Sequence, residues 1–318
     1  MAAARRDRVV FPGAVAPARW SRLDVGGLEI HIHEWGFSDA HPLFLLHGSD
    51  DSSRTFDVFA PLLSKAGYRV IAWDMRGNGE SDHATIYSSR ADVRDMLHVI
   101  DHFESEPVYL VGHSRGGRLA LDLAAAVPHR IAKLVTIDGI PWRAGHHSLS
   151  TRPPFRDSPE FLAPWLDRRR TSWFAERTAG TIDELARRRK VNNPRLSTGW
   201  LRYVVSVNAN WYRGYGWEWR NDITRTIQPL DGLGREWVEA ALASLRQAEV
   251  PVLAVCGTEP EPMGAGVPSD ADIALLPAGS QVALIEAGHF VHIEKPDETA
   301  AAIVDFLGPP RSRRADDR

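Results

Sequence analysis

The chain has 318 residues, 43% of them hydrophobic, and a formal net charge of -3. That length allows one large core or a core plus a smaller module, and the balanced charge offers no electrostatic attraction to nucleic acid or an anionic membrane surface. A single cysteine, Cys256, excludes an internal disulfide and suits a reducing, cytoplasmic setting, and no window approaches the roughly 20 apolar residues of a membrane span.

Residues 1–21 read as a flexible N-terminal arm. Arg5 and Arg6 suggest an export signal, but Pro12, Gly13, Pro17 and Arg19 interrupt the apolar run such a signal requires. Leu23–Trp35, with Gly26 and Gly27 in its middle, predicts an antiparallel hairpin at a sheet edge. Beyond it, apolar runs alternate with helical patterns. Strands are expected at Pro42–Leu46, Tyr68–Trp73, Val108–Val111, Lys133–Ile137, Pro251–Cys256 and Gln281–Ile285. Most are apolar on both faces, which suits central parallel strands covered on both sides. Helices are expected at Phe56–Ala66, Ser89–Phe103, Arg115–Ala126 and Pro296–Leu307. The alternation implies an α/β fold with a mostly parallel, doubly wound sheet.

The pattern stops after Ile140 and resumes at Val250. Residues 141–248 look helical, without a clear buried strand, and carry eight of the eleven tryptophans. An insertion between two strands of one sheet predicts a Trp-rich cap over the sheet's end, split from a core at 22–140 and 249–308. The glycine-containing stretch Asn208–Trp217 is expected to form a flexible lip, and the tryptophans to line an apolar, aromatic pocket. Residues 309–318 read as a disordered tail.

The strongest chemical signal is Val108-Tyr109-Leu110-Val111-Gly112-His113-Ser114-Arg115-Gly116-Gly117. An apolar strand runs directly into Gly-x-Ser-x-Gly and then a helix, the arrangement of a nucleophile elbow. Such a turn holds Ser114 in strained geometry at the strand's end, and the helix's positive end favours developing negative charge there. A serine hydroxyl needs a base within hydrogen-bond reach. His289, on the loop between the last strand and the last helix, is the expected base, and His292 in the same loop is expected to be a structural neighbour. An oxyanion needs two backbone donors. The N–H of Arg115 and that of Ser49, which follows the strand ending Leu45-Leu46-His47-Gly48, are the candidates. The guanidinium of Arg115 is expected either to pair with Asp50, Asp51 or Asp74 or to bind a substrate carboxylate. The histidines show neither HExxH nor paired Cys/His spacing, so no catalytic metal is expected, and attack by a base-activated serine needs no cofactor.

At several independent places the chain resembles the alpha/beta-hydrolase superfamily. These are His47-Gly48-Ser49, Asp74-Met75-Arg76-Gly77-Asn78-Gly79-Glu80-Ser81, the Gly112–Gly116 elbow, and Gly288-His289 with Glu294 and Pro296. The resemblance implies an eight-stranded sheet and a Ser-His-acid machine, without naming a substrate. It leaves the acid open. Where most relatives carry an Asp, this chain reads Gly257-Thr258-Glu259-Pro260-Glu261, with a proline at the expected position. Glu261 or Glu259 would serve after a shift of register. Some relatives, including a subgroup of haloalkane dehalogenases, place the acid after the strand that follows the elbow helix, where this chain has Asp138. Asp138 is preferred. The resulting expectation is a serine hydrolase acting on an ester or lactone of a small hydrophobic molecule. A carbon–carbon bond hydrolase, a cofactor-free cyclase or thioesterase, and a non-catalytic ligand receptor on the same fold are the alternatives.

Overall fold

The computed structural model describes residues 9–142, 178–224, 235–261 and 263–310, together with Ala163, Leu166, Asp167, Arg170 and Thr171. Eight strands form one sheet: β1 (Arg19–Asp24), β2 (Glu29–Trp35), β3 (His41–Leu46), β4 (Tyr68–Trp73), β5 (Val108–His113), β6 (Ile131–Ile137), β9 (Val252–Gly257) and β10 (Gln281–Ile285). Their order is β1-β2-β4-β3-β5-β6-β9-β10. Only β2 runs against the rest, pairing antiparallel with β1 and β4. The central strands bury both faces. In β3, Leu43 and Leu45 enter one core layer, and Phe44 and Leu46 the other; in β5, Tyr109 and Val111 alternate with Val108 and Leu110 in the same way.

One layer is covered by α2 (Ser89–Phe103) and α3 (Arg115–Ala126), the other by α1 (Ala60–Lys65) and the C-terminal helix (Pro296–Leu307). Ser88 caps α2 by accepting from Ala91 N at 3.1 Å, satisfying one of the helix's free amides. Pro296 opens the last helix, where its missing N–H costs nothing.

Between β6 and β9 lie the helices α4 (Ile182–Asn192) and α5 (Thr198–Asn208), the hairpin β7 (Ala209–Tyr212) and β8 (Gly216–Trp219), and α6 (Arg235–Gln247). The hairpin replaces the flexible lip expected at Asn208–Trp217. Gly214 and Gly216 take positive φ values of 87° and 99°, which let the chain turn back tightly. Helix α6 buries Val238, Ala241, Leu242 and Leu245 in the same core layer as α2 and α3, although its residues were assigned to the insertion. Helices α4 and α5 form a third cluster around Trp200, Leu201 and Val204, joined by Phe290 of the histidine loop.

The N-terminal segment is more engaged than a flexible arm. Phe11 packs edge-on to Trp200 at 5.1 Å, and Val15 O accepts from Trp35 Nε1 at 2.9 Å. Residues 1–8 and 311–318, which include most of the expected tail, lie outside the described residues. Among the described residues no helix is long and apolar enough to cross a membrane.

Most of the insertion's described tryptophans pack into cores. Trp142 and Trp237 pack into the sheet's core, and Trp200, Trp217 and Trp219 into the third cluster; Trp165 and Trp173 lie outside the described residues. A cavity of about 900 Å³ at this end of the molecule is lined by Arg22, Glu80, His83, Arg220 and Asp222 beside Tyr212 and Trp219. Those charges make it polar, and Ser114 is not in its wall, so it is a different cavity from the apolar pocket expected over the serine.

Candidate active site

Ser114 sits between β5 and α3 with φ 52° and ψ -122°, a backbone conformation costly for a residue with a Cβ. Close backbone packing holds it there. A Cβ on Gly112 would lie 2.4 Å from Gly116 C, and one on Gly116 would lie 2.5 Å from His47 O. Both contacts are with main chain, so neither glycine tolerates a side chain without displacing the turn. Ser114 N–H donates to Ile137 O at 2.9 Å, tying the elbow to the end of β6.

The structure brings Ser114, His289 and Asp138 together at the carboxyl ends of the strands. Ser114 Oγ is 2.8 Å from His289 Nε2, and His289 Nδ1 is 2.6 Å from Asp138 Oδ2. An ionised carboxylate only accepts, so Nδ1 carries the proton and Nε2 presents its lone pair to the serine hydroxyl. This is the arrangement a general base requires. Asp138 has a left-handed φ of 46°, and its Oδ2 also accepts from Ala265 N at 3.0 Å.

The two rival carboxylates are close by but differently occupied. Glu261 Oε2 accepts from the backbone N–H of His289 at 2.6 Å, and Glu259 faces Arg195 at 3.6 Å. Glu294 Oε1 accepts from Gly288 N at 3.1 Å. The carbonyl of His289 accepts from His113 Nε2 at 3.0 Å. Both polar groups of the histidine's peptide backbone are thus held, one by Glu261 and one by His113. The second of these positioning residues lay unassigned inside the Gly-x-Ser-x-Gly motif, where no spacing signal reveals its partner.

Ser49 and Arg115 flank the serine from two sides. A Cβ built on Gly48 would lie 3.3 Å from Ser114 Cβ, so the loop carrying Ser49 reaches the elbow closely. Arg115 opens α3 directly after the serine. Among the described residues, neither amide donates to a protein acceptor. The Arg115 guanidinium pairs with Asp92 of α2, and not with Asp50, Asp51 or Asp74 or free to meet substrate. The α2–α3 packing decides that partner. Asp51 instead pairs with Arg189 of α4, and Asp74 accepts from Ser53 N and Glu80 N, both at 2.8 Å.

His292 is buried among Phe56, Phe59 and His113. Burial, reinforced by His289, pushes its pKa down to about 3. Burial and the neighbouring His292 and His289 likewise hold His113 well below the ordinary histidine range. In both cases the unfolded chain binds the proton more readily than the folded one. Their stability contribution is therefore complete above the unfolded pKa near 6.5 and is lost as pH falls towards the folded value. Between pH 6.5 and 5.5 His292 is expected to cost the fold about 1 kcal/mol, and His113 acts in the same direction. Urea denaturation at the two pH values measures this, and His292→Phe should remove that residue's share. Cys256 is no rival nucleophile, since burial and the nearby Asp138 push its thiol up to about 12.

A family model described as alpha/beta hydrolase fold matches residues 41–296. The chain is 27% identical over 284 residues to lipase LipV of Mycobacterium tuberculosis, covering 89% of this chain and 99% of that one. It is 35% identical over 137 residues to the 2-hydroxy-6-oxononadienedioate/2-hydroxy-6-oxononatrienedioate hydrolase of Paraburkholderia phymatum, covering 39% of this chain and 45% of that one. The thioesterase domain from the curacin biosynthetic pathway superposes with a TM-score of 0.75 at 22% identity, covering 90% of this chain and 99% of that domain, a likeness of fold.

Proposed function

The chain belongs to the alpha/beta-hydrolase family, and from that premise we propose that it is a serine hydrolase cleaving an ester or lactone of a small hydrophobic molecule through an acyl-enzyme on Ser114. The observation that carries this reading is the unbroken run of hydrogen bonds from Ser114 Oγ through the His289 imidazole to Asp138. Lipase and hydrolase are the names of relatives with which the chain shares sequence, and they support hydrolysis as the reaction class.

In the proposed reaction His289 Nε2 removes the hydroxyl proton as Ser114 Oγ attacks the substrate carbonyl. Asp138 keeps the imidazole in the required tautomer and stabilises the imidazolium that forms. The Ser49 and Arg115 amides, which lack protein acceptors among the described residues, receive the oxyanion. His289 then protonates the leaving oxygen. In the second half it deprotonates water, which releases the acid and restores the serine. In this reading the inserted segment acts as a cap. Its helices reach the histidine loop through Phe290 and Asp51 through Arg189, and Asn221, just past β8, donates to Asp50 O.

A fluorophosphonate probe followed by intact-mass measurement tests the proposal. One adduct per chain is expected, located on Ser114 and absent from Ser114→Ala, together with a burst of p-nitrophenol equal to the enzyme when a p-nitrophenyl ester is added. A ligand receptor with a disabled site would give neither, and an adduct that survives Ser114→Ala would place the nucleophile elsewhere.

A further inference from the structure

Away from the serine, three metal-ligand side chains converge where β2 meets the loop after β4. His31 and His33 lie two residues apart on β2 and so project from the same face of the sheet, while Ile30 and Ile32 enter the core on the other. A donor atom from each histidine and one from Glu80 all lie within 4.8 Å of one another.

Three observations point to a ligand here. His31 is 4% exposed, and neither of its buried ring nitrogens has a hydrogen-bond partner among the described residues. Such a group is costly to leave unsatisfied. Its Nε2 is 3.2 Å from Glu80 Oε2, yet the two atoms are not aligned as a hydrogen bond. Two ligands bound tetrahedrally to zinc, at the usual bond lengths near 2.0–2.1 Å, would lie about 3.3 Å apart. The tautomer of His33 is also set. Ser53 Oγ donates its one proton to Asp74 Oδ1 at 2.6 Å, so it accepts from His33 Nδ1–H at 2.7 Å. That leaves a lone pair on His33 Nε2, with the opposite nitrogen held through a serine by a carboxylate, the outer support metal-binding histidines usually have.

Asp74 organises the third ligand as well, because its Oδ2 accepts from Glu80 N at 2.8 Å. The Glu80 side chain is partly exposed, its Oε1 lies 3.3 Å from Arg220 Nη1, and it lines the polar cavity of about 900 Å³. The cavity provides an entry path and room for a water ligand. The pair with Arg220 is the outer-shell hold that ligating carboxylates commonly receive.

We propose that His31, His33 and Glu80 bind one divalent transition-metal ion, with zinc favoured by two imidazoles and a carboxylate. The ion would join the edge hairpin to the 74–82 loop and, through Arg220, to the β7–β8 hairpin. The sequence offers no standard motif for it, because the third ligand follows the histidine pair by about 50 residues and folding alone brings it near.

The test is calorimetric titration of zinc chloride into the chelator-treated full-length chain. One equivalent is expected to bind, with a rise in melting temperature, and cobalt(II) should give the visible absorption of a low-coordinate site. Glu80→Gln and His31→Gln are each expected to weaken zinc at least tenfold, while His289→Ala binds as the parent does. If His31→Gln does not fold, the partly exposed Glu80 position carries the comparison. No binding at millimolar zinc, binding unchanged in Glu80→Gln, or binding lost in His289→Ala would each overturn the proposal.

Discussion

Ser114→Ala and His289→Ala are each expected to lower kcat/KM on an activated ester by about 10⁶-fold, and the double variant by scarcely more. The reason lies in the shared proton. Ser114 Oγ and His289 Nε2 are 2.8 Å apart, and each is useful only through the other. Without the imidazole the hydroxyl keeps its proton at neutral pH; without the hydroxyl the imidazole has nothing to activate but water. Once either is lost, the remaining acceleration rests on amide donors and binding, which both single variants retain. Steady-state kinetics on the three variants and the parent measure this. Losses that multiply in the double variant would mean that the two side chains act independently.

The second large effect separates two carboxylates that touch the same histidine. Asp138→Asn is expected to reduce kcat by about 10⁴-fold, because a neutral amide beside Nδ1 no longer stabilises the imidazolium that forms as Ser114 attacks. Ala265 N–H and His289 Nδ1–H share Asp138 Oδ2, so an asparagine that keeps its oxygen there would still orient the ring but would bring no charge to the imidazolium. Glu261→Gln is expected to cost no more than about tenfold, since a glutamine carbonyl still accepts from His289 N–H, a neutral hydrogen bond in place of a charge-assisted one. The pH–rate profile sharpens the contrast. Removing the carboxylate that faces the imidazole shifts the limb belonging to the base, whereas removing one that holds the backbone lowers the plateau and leaves the limb in place. The reverse ranking would assign the acid's role to Glu261.

Much of this molecule was legible one segment at a time. The bounds of β4, β10, α2, α3 and the last helix coincide with the expected ranges, because apolar alternation, caps and a helix-opening proline are local signals. Gly-x-Ser-x-Gly is local as a motif, although only Gly112 is required by contacts within the turn, Gly116 being pressed against the end of β3 at Leu46 and His47. The β7–β8 hairpin was not legible, because its strands are short and, apart from buried Ala209, exposed or half-buried and so lack a clear alternation. Which tryptophans fill a core was not legible for a related reason: a tryptophan's position in a sequence does not say whether it faces a core or a cleft.

The amino-acid order by itself determined the α/β alternation, the position of the serine in a strand-to-helix turn, and a histidine loop after the last strand, each of which depends on neighbours a few residues away. Only the tertiary structure decided which carboxylate meets His289 Nδ1, that Asp92 takes Arg115, that His113 supports the histidine loop, and that Glu80 comes beside His31 and His33. Those outcomes depend on side-chain direction between segments brought together by the sheet. A left-handed φ at Asp138 and a reach to a main-chain amide by Glu261 give two acids near one imidazole different partners, and no spacing along the chain encodes that difference.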